Sequence, residues 1–354
     1  MTAARHEPRG LRMTAAAVLA AAALALLWPP AARGAEAGAA PPSAGTDEAP
    51  PAGERVRLGD DKAADEYDLY RLPDGYRLPD GSFSESAIVG HQKRRLETIN
   101  ARLGARLRAA ETPHFLFFSD ADAHTTARFT AWGEALYDSL REQFGLPKRE
   151  RVWHGKCVVL LFRKRAEFDA YARTFDHHDA TRAGAYFAVE GHGPDGPQLV
   201  HMCFPLDQRG ERRLQELFAH EGTHAFFEMY RTPGRLPLWL HEGLAEYMTT
   251  VNDRALRASK WPAAARAARS SASIQRLFAR EAGEEMTLAE YSVAFTLVDY
   301  LLDAGRERFK QFVDALKDAT PQNAALAAAY GFDLRELEVR WREHALHRGP
   351  PEGR

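Results

Sequence analysis

Two histidines stand four residues apart in the segment HEGTH (220–224), and Glu221 follows the first of them. On a helix, this spacing projects the rings of His220 and His224 from one face, where they can occupy two corners of a zinc tetrahedron. The carboxylate of Glu221 can reach a water molecule held beside such a metal and act as a general base. The motif alone is only suggestive, because an HExxH pattern arises by chance in roughly a few per cent of chains of this size.

Two further carboxylates follow at a useful distance. Seventeen residues separate His224 from Glu242, which lies in LPLWLHEGLAEYM (236–248) together with Glu246. Pro237 suits a helix start, and the two glutamates are then one turn apart on the same face. One carboxylate can complete three protein ligands and leave a fourth position for water, as a catalytic zinc site requires. The other can accept the second N–H of a ligating histidine and fix its tautomer.

HEGTH followed by WLHEGLAEY resembles the gluzincin metallopeptidases, and more closely the peptidase-MA-like domains of exported bacterial proteins. The resemblance implies zinc as the cofactor, His220, His224 and Glu242 as its ligands, and Glu221 as the base. Glu246 occupies the position from which an acid holds the first histidine in such enzymes. The resemblance is specific over residues 220–248, extends loosely to the preceding strands and the helix containing Tyr291, and leaves out residues 1–85.

The segment YSVAFTLVDYLL (291–302) resembles the helix on which aminopeptidase-type gluzincins carry a catalytic tyrosine. The resemblance implies that Tyr291 stabilises the oxyanion; the alternative is a tyrosine that only packs between helices. If it only packs, His201 and the loop at His177 are the next candidates for the oxyanion donor. The aminopeptidase signature GxMEN is absent, and AGAYFA (183–188) stands near its place. This strand can still bind an extended peptide through backbone hydrogen bonds.

The elements that would position these residues follow an α+β order, with strands first and helices after them. Apolar runs predict strands over 114–119, 157–162, 183–189 and 198–204. Helices are predicted over 86–110, 125–144 and 166–174, and almost everything from Glu211 onward reads as helix. We therefore expect a zincin-like catalytic domain, with a small, mostly antiparallel sheet, an active-site helix and a helical C-terminal part.

Three segments are expected along the chain. Arginines, a 14-residue apolar run (15–28) and small residues predict a signal peptide over 1–35, with an uncleaved membrane anchor as the alternative. Residues 36–85 form a linker rich in Pro, Ala and Gly and an irregular arm. Residues 86–350 form the catalytic domain, with a strand-containing half (86–210) and a helical half (211–350). The protein is expected to be periplasmic or secreted, with no transmembrane domain once the signal is removed.

The composition excludes other classes. The 354 residues carry 47 basic and 49 acidic side chains, so the surplus of positive charge typical of nucleic-acid-binding proteins is missing. The two cysteines, Cys157 and Cys203, are too few for a disulfide scaffold but could pair across neighbouring strands. We expect a zinc peptidase that acts on peptides or proteins. The alternatives are an envelope protein that binds peptides with little turnover and an amidase acting on cell-wall peptides. The oligomeric state cannot be read from the sequence.

Overall fold

A computed structural model describes the backbone of residues 55–58 and residues 76–147, 151–191, 197–207, 210–232, 234–282 and 284–347. The predicted signal peptide and most of the predicted linker lie outside these ranges. The six strands of the sheet are β1 (Arg55–Leu58), β2 (Arg108–Glu111), β3 (Phe115–Ser119), β4 (Cys157–Phe162), β5 (Tyr186–Gly191) and β6 (Gln198–Pro205). Residues 55–58, which we predicted to be linker, therefore pair with the sheet.

The helices between the strands are α1 (Glu85–Leu103), α2 (Ala123–Gln143) and α3 (Arg165–Tyr171), which continues into a π-helical turn (Ala172–Asp176). The helices after the strands are α4 (Glu211–Met229), α5 (Leu238–Thr250), α6 (Arg254–Arg269), α7 (Gln275–Phe278), α8 (Leu288–Asp303), α9 (Arg306–Lys317), α10 (Gln322–Tyr330) and α11 (Leu334–His347). Strands lead and helices follow, so the predicted α+β class is confirmed.

The direction of the strands corrects one expectation. The order across the sheet is β1-β5-β6-β4-β3-β2. Three of the five neighbouring pairs are parallel (β1 with β5, β6 with β4, β4 with β3), and two are antiparallel (β5 with β6, β2 with β3). The sheet is mixed rather than mostly antiparallel. Between β3 and β4, helix α2 carries the chain back to the end of the sheet at which β3 begins, so β4 runs parallel to β3.

The first predicted helix (86–110) is too long by several residues. Helix α1 begins after Ser84, whose hydroxyl accepts a hydrogen bond from the amide of Ala87. It ends at Gly104, which takes a left-handed conformation with φ of 60°. Residues 108–111, the first three of which were predicted to be helical, form the edge strand β2.

Both faces of the sheet are covered. Side chains that include Phe117, Val159 and Met202 face α2 and α4, and alternate residues such as Leu160 and Cys203 face α1 and α3. Helix α4 packs closely on this side of the sheet, because a Cβ atom on Gly222 would lie 2.5 Å from Leu136 Cδ2 of α2 and 3.9 Å from Met202 Sδ of β6. The helix that carries HEGTH is therefore held at Gly222 between α2 and the sheet.

The two cysteines lie on opposite faces of the sheet. Cys203 pairs in register with Leu160, three positions from Cys157 in β4, and an odd offset reverses the face. Both thiols are buried and free, so the pairing that the sequence left open does not form. Within the described ranges, no helix is both long and apolar enough to cross a membrane.

Candidate metal centre

Helices α4 and α5 bring the three predicted ligands together. His220 Nε2 and His224 Nε2 lie 3.1 Å apart, and each is 3.6 Å from Glu242 Oε2. One turn of α4 separates the two histidines, and α5 packs across α4 so that Glu242 faces both rings. All three side chains are buried.

The three atoms fit a zinc ion. Four ligands placed about 2.0–2.1 Å from zinc in a tetrahedron lie about 3.3 Å from one another, close to the observed distances. Glu242 Oε2 is buried and has no hydrogen-bond partner among the described residues, which is costly unless a cation lies beside it. Two imidazole nitrogens and one carboxylate oxygen are also the donor set of many catalytic zinc sites.

The first ligand is supported by a chain of buried charges. His220 Nδ1 lies 3.5 Å from Glu246 Oε1, and Glu246 Oε2 forms an ion pair with Lys260 on α6. Burial would raise the pKa of Glu246, but the contacts with Lys260 and His220 together outweigh burial and lower the pKa to about 2. The ionised carboxylate can therefore accept the Nδ1–H of His220 and leave Nε2 for a metal.

The second ligand is supported by another histidine. His224 Nδ1 lies 3.2 Å from His241 Nε2, and the ring of Phe187 on β5 stacks against His224 at 5.6 Å between centroids. Burial lowers the pKa of His224 well below its usual value, so its imidazole is neutral and able to bind a metal. His241, the residue before Glu242, thus contacts His224 directly.

Helix α8 places Tyr291 at the same site. Helix α8 packs closely on α5, because a Cβ atom on Gly243 of α5 would lie 2.5 Å from the carbonyl oxygen of Ala294 on α8. Burial, followed by the charges of Glu242, Glu246 and Glu221, raises the pKa of Tyr291 well above its usual value. The phenol is therefore protonated at neutral pH and can donate a hydrogen bond. Burial also raises the pKa of Glu242 to about 7 when no metal is bound.

Residues 214–347 contain all of these side chains except Phe187 and match the sequence profile of the peptidase MA superfamily. We call residues 214–347, which are similar to this superfamily, the peptidase MA region. The match covers less than half of the chain, and it confirms the relationship that HEGTH and Glu242 suggested. The structure thus confirms the α+β class, and the zincin-like assignment stays a prediction.

Two comparisons add context to the peptidase MA region. Among solved structures, the chain is similar to a two-domain M1 zinc metallopeptidase, a mutant bound to L-arginine. The identity is 15% and the TM-score 0.32, over 70% of this chain and 53% of that chain. The present chain thus spans about half the length of that protein. No curated protein matches the sequence.

A second group of possible ligands lies on the opposite face of the sheet from the peptidase MA site. Asp176, His201 and Cys203 also come close together. However, His201 Nε2 is 2.9 Å from Asp176 Oδ2, and His201 Nδ1 is 3.0 Å from Glu190 Oε1. Burial alone would lower the pKa of His201, but the two carboxylates raise it well above its usual value. A doubly paired imidazolium has no lone pair for a metal, so this group is an ion cluster, which Arg95 completes through Glu190.

The position of His201 corrects one further expectation. We named it as an alternative oxyanion donor, but it faces α1 and α3 while its neighbour Met202 faces the HEGTH helix. The sequence did not reveal the role of Lys260 or the contact between His241 and His224. No sequence pattern pointed to either of them. Lys260 lies on a separate helix, and the position of His241 next to Glu242 does not show which side chain it contacts.

Proposed function

We propose that the chain is a zinc-dependent peptidase that hydrolyses peptide bonds in peptides or proteins. His220, His224 and Glu242 would hold the ion, which supplies Lewis-acid activation of water and of the scissile carbonyl when bound. The observation that carries the proposal is the triangle of buried ligand atoms with Glu221 beside it in a peptidase MA region.

The remaining steps fall to side chains of the chain itself. Glu221 accepts the proton of the attacking water and passes it to the leaving amine as the C–N bond breaks. The Tyr291 hydroxyl donates a hydrogen bond to the carbonyl oxygen as negative charge develops there. Glu246 and His241 hold the two imidazoles in the tautomer that leaves Nε2 free. The general base distinguishes this proposal from a zinc-stabilised binding protein, because structural zinc needs no such carboxylate.

The first test measures metal and cleavage together. Chain purified after production with added zinc should contain close to one zinc per molecule, and a mixed peptide library incubated with it should show new termini by mass spectrometry. His224→Ala should lose both the metal and the cleavage. Zinc retained in His224→Ala would remove the site as described. Zinc bound by the wild type without cleavage of any peptide would favour the binding protein or the cell-wall amidase.

We also propose that the protein is exported and processed between Gly34 and Ala37, because a basic start, a short apolar run and small residues occur in that order. Mass spectrometry of the protein from its native host should find a new amino terminus there. A chain that retains residues 1–33 in the membrane would support the anchor instead.

A further inference from the structure

Strand β5 runs directly beside the candidate metal centre. Phe187, its second residue, stacks on His224 with an interplanar angle of 28° and meets His241 edge-on at 6.4 Å between centroids. One face of β5 therefore contacts the helices that carry the predicted ligands. The edge of β5 that faces away from β6 is suited to an extended peptide, which could pair there by backbone hydrogen bonds.

That edge is occupied by the chain itself. Strand β1 pairs with β5 in parallel, with Arg55 opposite Phe187 and Leu58 opposite Glu190. It has only four residues, and a strand this short makes few ladder hydrogen bonds. The preceding stretch, 36–54, is rich in Pro, Ala and Gly. Strand β1 is thus short, and the sequence that precedes it has little capacity to form a core of its own.

The reacting groups are closed to solvent. Glu221 and His224 are 0% exposed, Glu242 is 6% exposed and Tyr291 is 8% exposed. A peptide carbonyl cannot reach these atoms unless some part of the chain moves aside. Strand β1 is the edge strand next to β5, and it consists of only four residues.

We propose that residues 55–58 are an intramolecular occupant of the peptide-binding edge of β5, and that an extended peptide binds by displacing them. This inference rests on the proposed function for its physiological meaning. A tethered strand competes at an effective concentration of the order of millimolar, so it raises KM for peptides without changing kcat. Weakening β1 should therefore lower KM alone.

Proline substitutions test the pairing with an internal control. Successive amides in a strand point to opposite sides, so only one of Val56 and Arg57 donates toward β5. Proline at that position removes a ladder hydrogen bond, whereas proline at the other faces away from the sheet and is tolerated at an edge. The variants are Val56→Pro, Arg57→Pro and the double substitution, with Gly45→Pro as a control outside the strand, all in the full chain.

The direct probe is a labelled synthetic peptide with the sequence of residues 53–60, GERVRLGD. Binding is measured by fluorescence anisotropy in a Glu221→Gln background, so that no cleavage intervenes. The double variant should bind the peptide at least 10-fold more tightly than the parent. The single variant whose proline removes the ladder hydrogen bond should bind the peptide as tightly as the double variant. The other single variant should bind it as weakly as the parent and Gly45→Pro. Amide hydrogen exchange at 187–190 should speed up in the double variant and slow again with peptide.

The outcomes separate this inference from the proposed function. Equal peptide affinity in the parent and the double variant, or no binding by either, overturns the inference even if the wild type cleaves peptides. Unchanged exchange at 187–190 in a double variant that retains wild-type zinc content overturns it as well. Peptide binding that follows the expected pattern in the Glu221→Gln variants, together with no peptide cleavage by the zinc-loaded wild type, would overturn the peptidase and leave the inference standing.

Discussion

Lys260 forms a buried ion pair with Glu246, and this contact reaches the candidate metal centre through the second carboxylate oxygen of Glu246. An isolated buried lysine is costly, and so is an isolated buried carboxylate. Their pairing keeps Glu246 ionised and able to orient His220 from behind. The pair links α6 to the helices that carry the predicted ligands, so the proposed zinc site should depend on a residue well outside the HEGTH motif.

Lys260→Met should therefore weaken zinc binding. Glu246 would take up a proton in a buried site, and His220 would lose the acceptor that fixes its tautomer. Loss of such a supporting contact typically costs 10- to 100-fold in metal affinity. A competitive titration against a zinc chelator measures the change. Lys156→Met is the matched control, because Lys156 is also buried but bonds the carbonyl of Pro113 on another part of the chain. An unchanged zinc Kd in Lys260→Met would mean that the pair serves only to join the helices.

His241 should support His224 in the same way. His241→Phe keeps an aromatic ring but removes the nitrogen that lies 3.2 Å from His224 Nδ1. We expect zinc affinity to fall by roughly 10-fold or more. His241→Gln offers an acceptor oxygen at similar reach and should recover part of that loss. Equal affinities for the Phe and Gln variants would show that the hydrogen bond contributes nothing and that only ring packing matters.

Tyr291→Phe removes one hydroxyl and should slow turnover by roughly 10²–10³-fold, with little change in KM or zinc content, if the phenol stabilises the transition state. Tyr300→Phe on the same helix is the control, because the Tyr300 ring packs against His344 at the far end of α8. Equal kcat values for Tyr291→Phe and the wild type would assign Tyr291 to helix packing.

The ion cluster around His201 should govern stability and its pH dependence. His201→Gln leaves Asp176 and Glu190 without their shared cation and should cost about 3–5 kcal/mol in the free energy of unfolding. The raised pKa of His201 gives its contribution a definite sign. The contribution is fully present below about pH 6.5, the unfolded value, and declines as the pH rises toward the folded pKa.

Urea denaturation of both proteins between pH 6 and 9 provides the measurement. The stability difference between wild type and His201→Gln should narrow as the pH increases. A difference that is constant or widens over that range would show that His201 is neutral in the folded state.

Local helix geometry made much of this site predictable. His220 and His224 share a face because they are four residues apart, and the same spacing aligns Glu242 with Glu246. No local rule gives the crossing of α6 over α5, so Lys260 carried no signal. Strand direction was missed for a similar reason, since an apolar run such as 157–162 reads the same in parallel and antiparallel pairing. The alternation in β6 shows that His201 and Met202 face opposite ways, but not which of them meets the HEGTH helix.

Glu221→Gln separates zinc binding from peptide hydrolysis. The substitution keeps the size and shape of a side chain that is fully buried beside the ligands, but it removes the group that accepts a proton. We expect the variant to keep close to one zinc per chain and wild-type thermal stability, and to lose peptide cleavage by roughly 10²–10⁴-fold. A Glu221→Gln protein that retains zinc and cleaves the same peptides as fast as the wild type would contradict the peptidase mechanism proposed here.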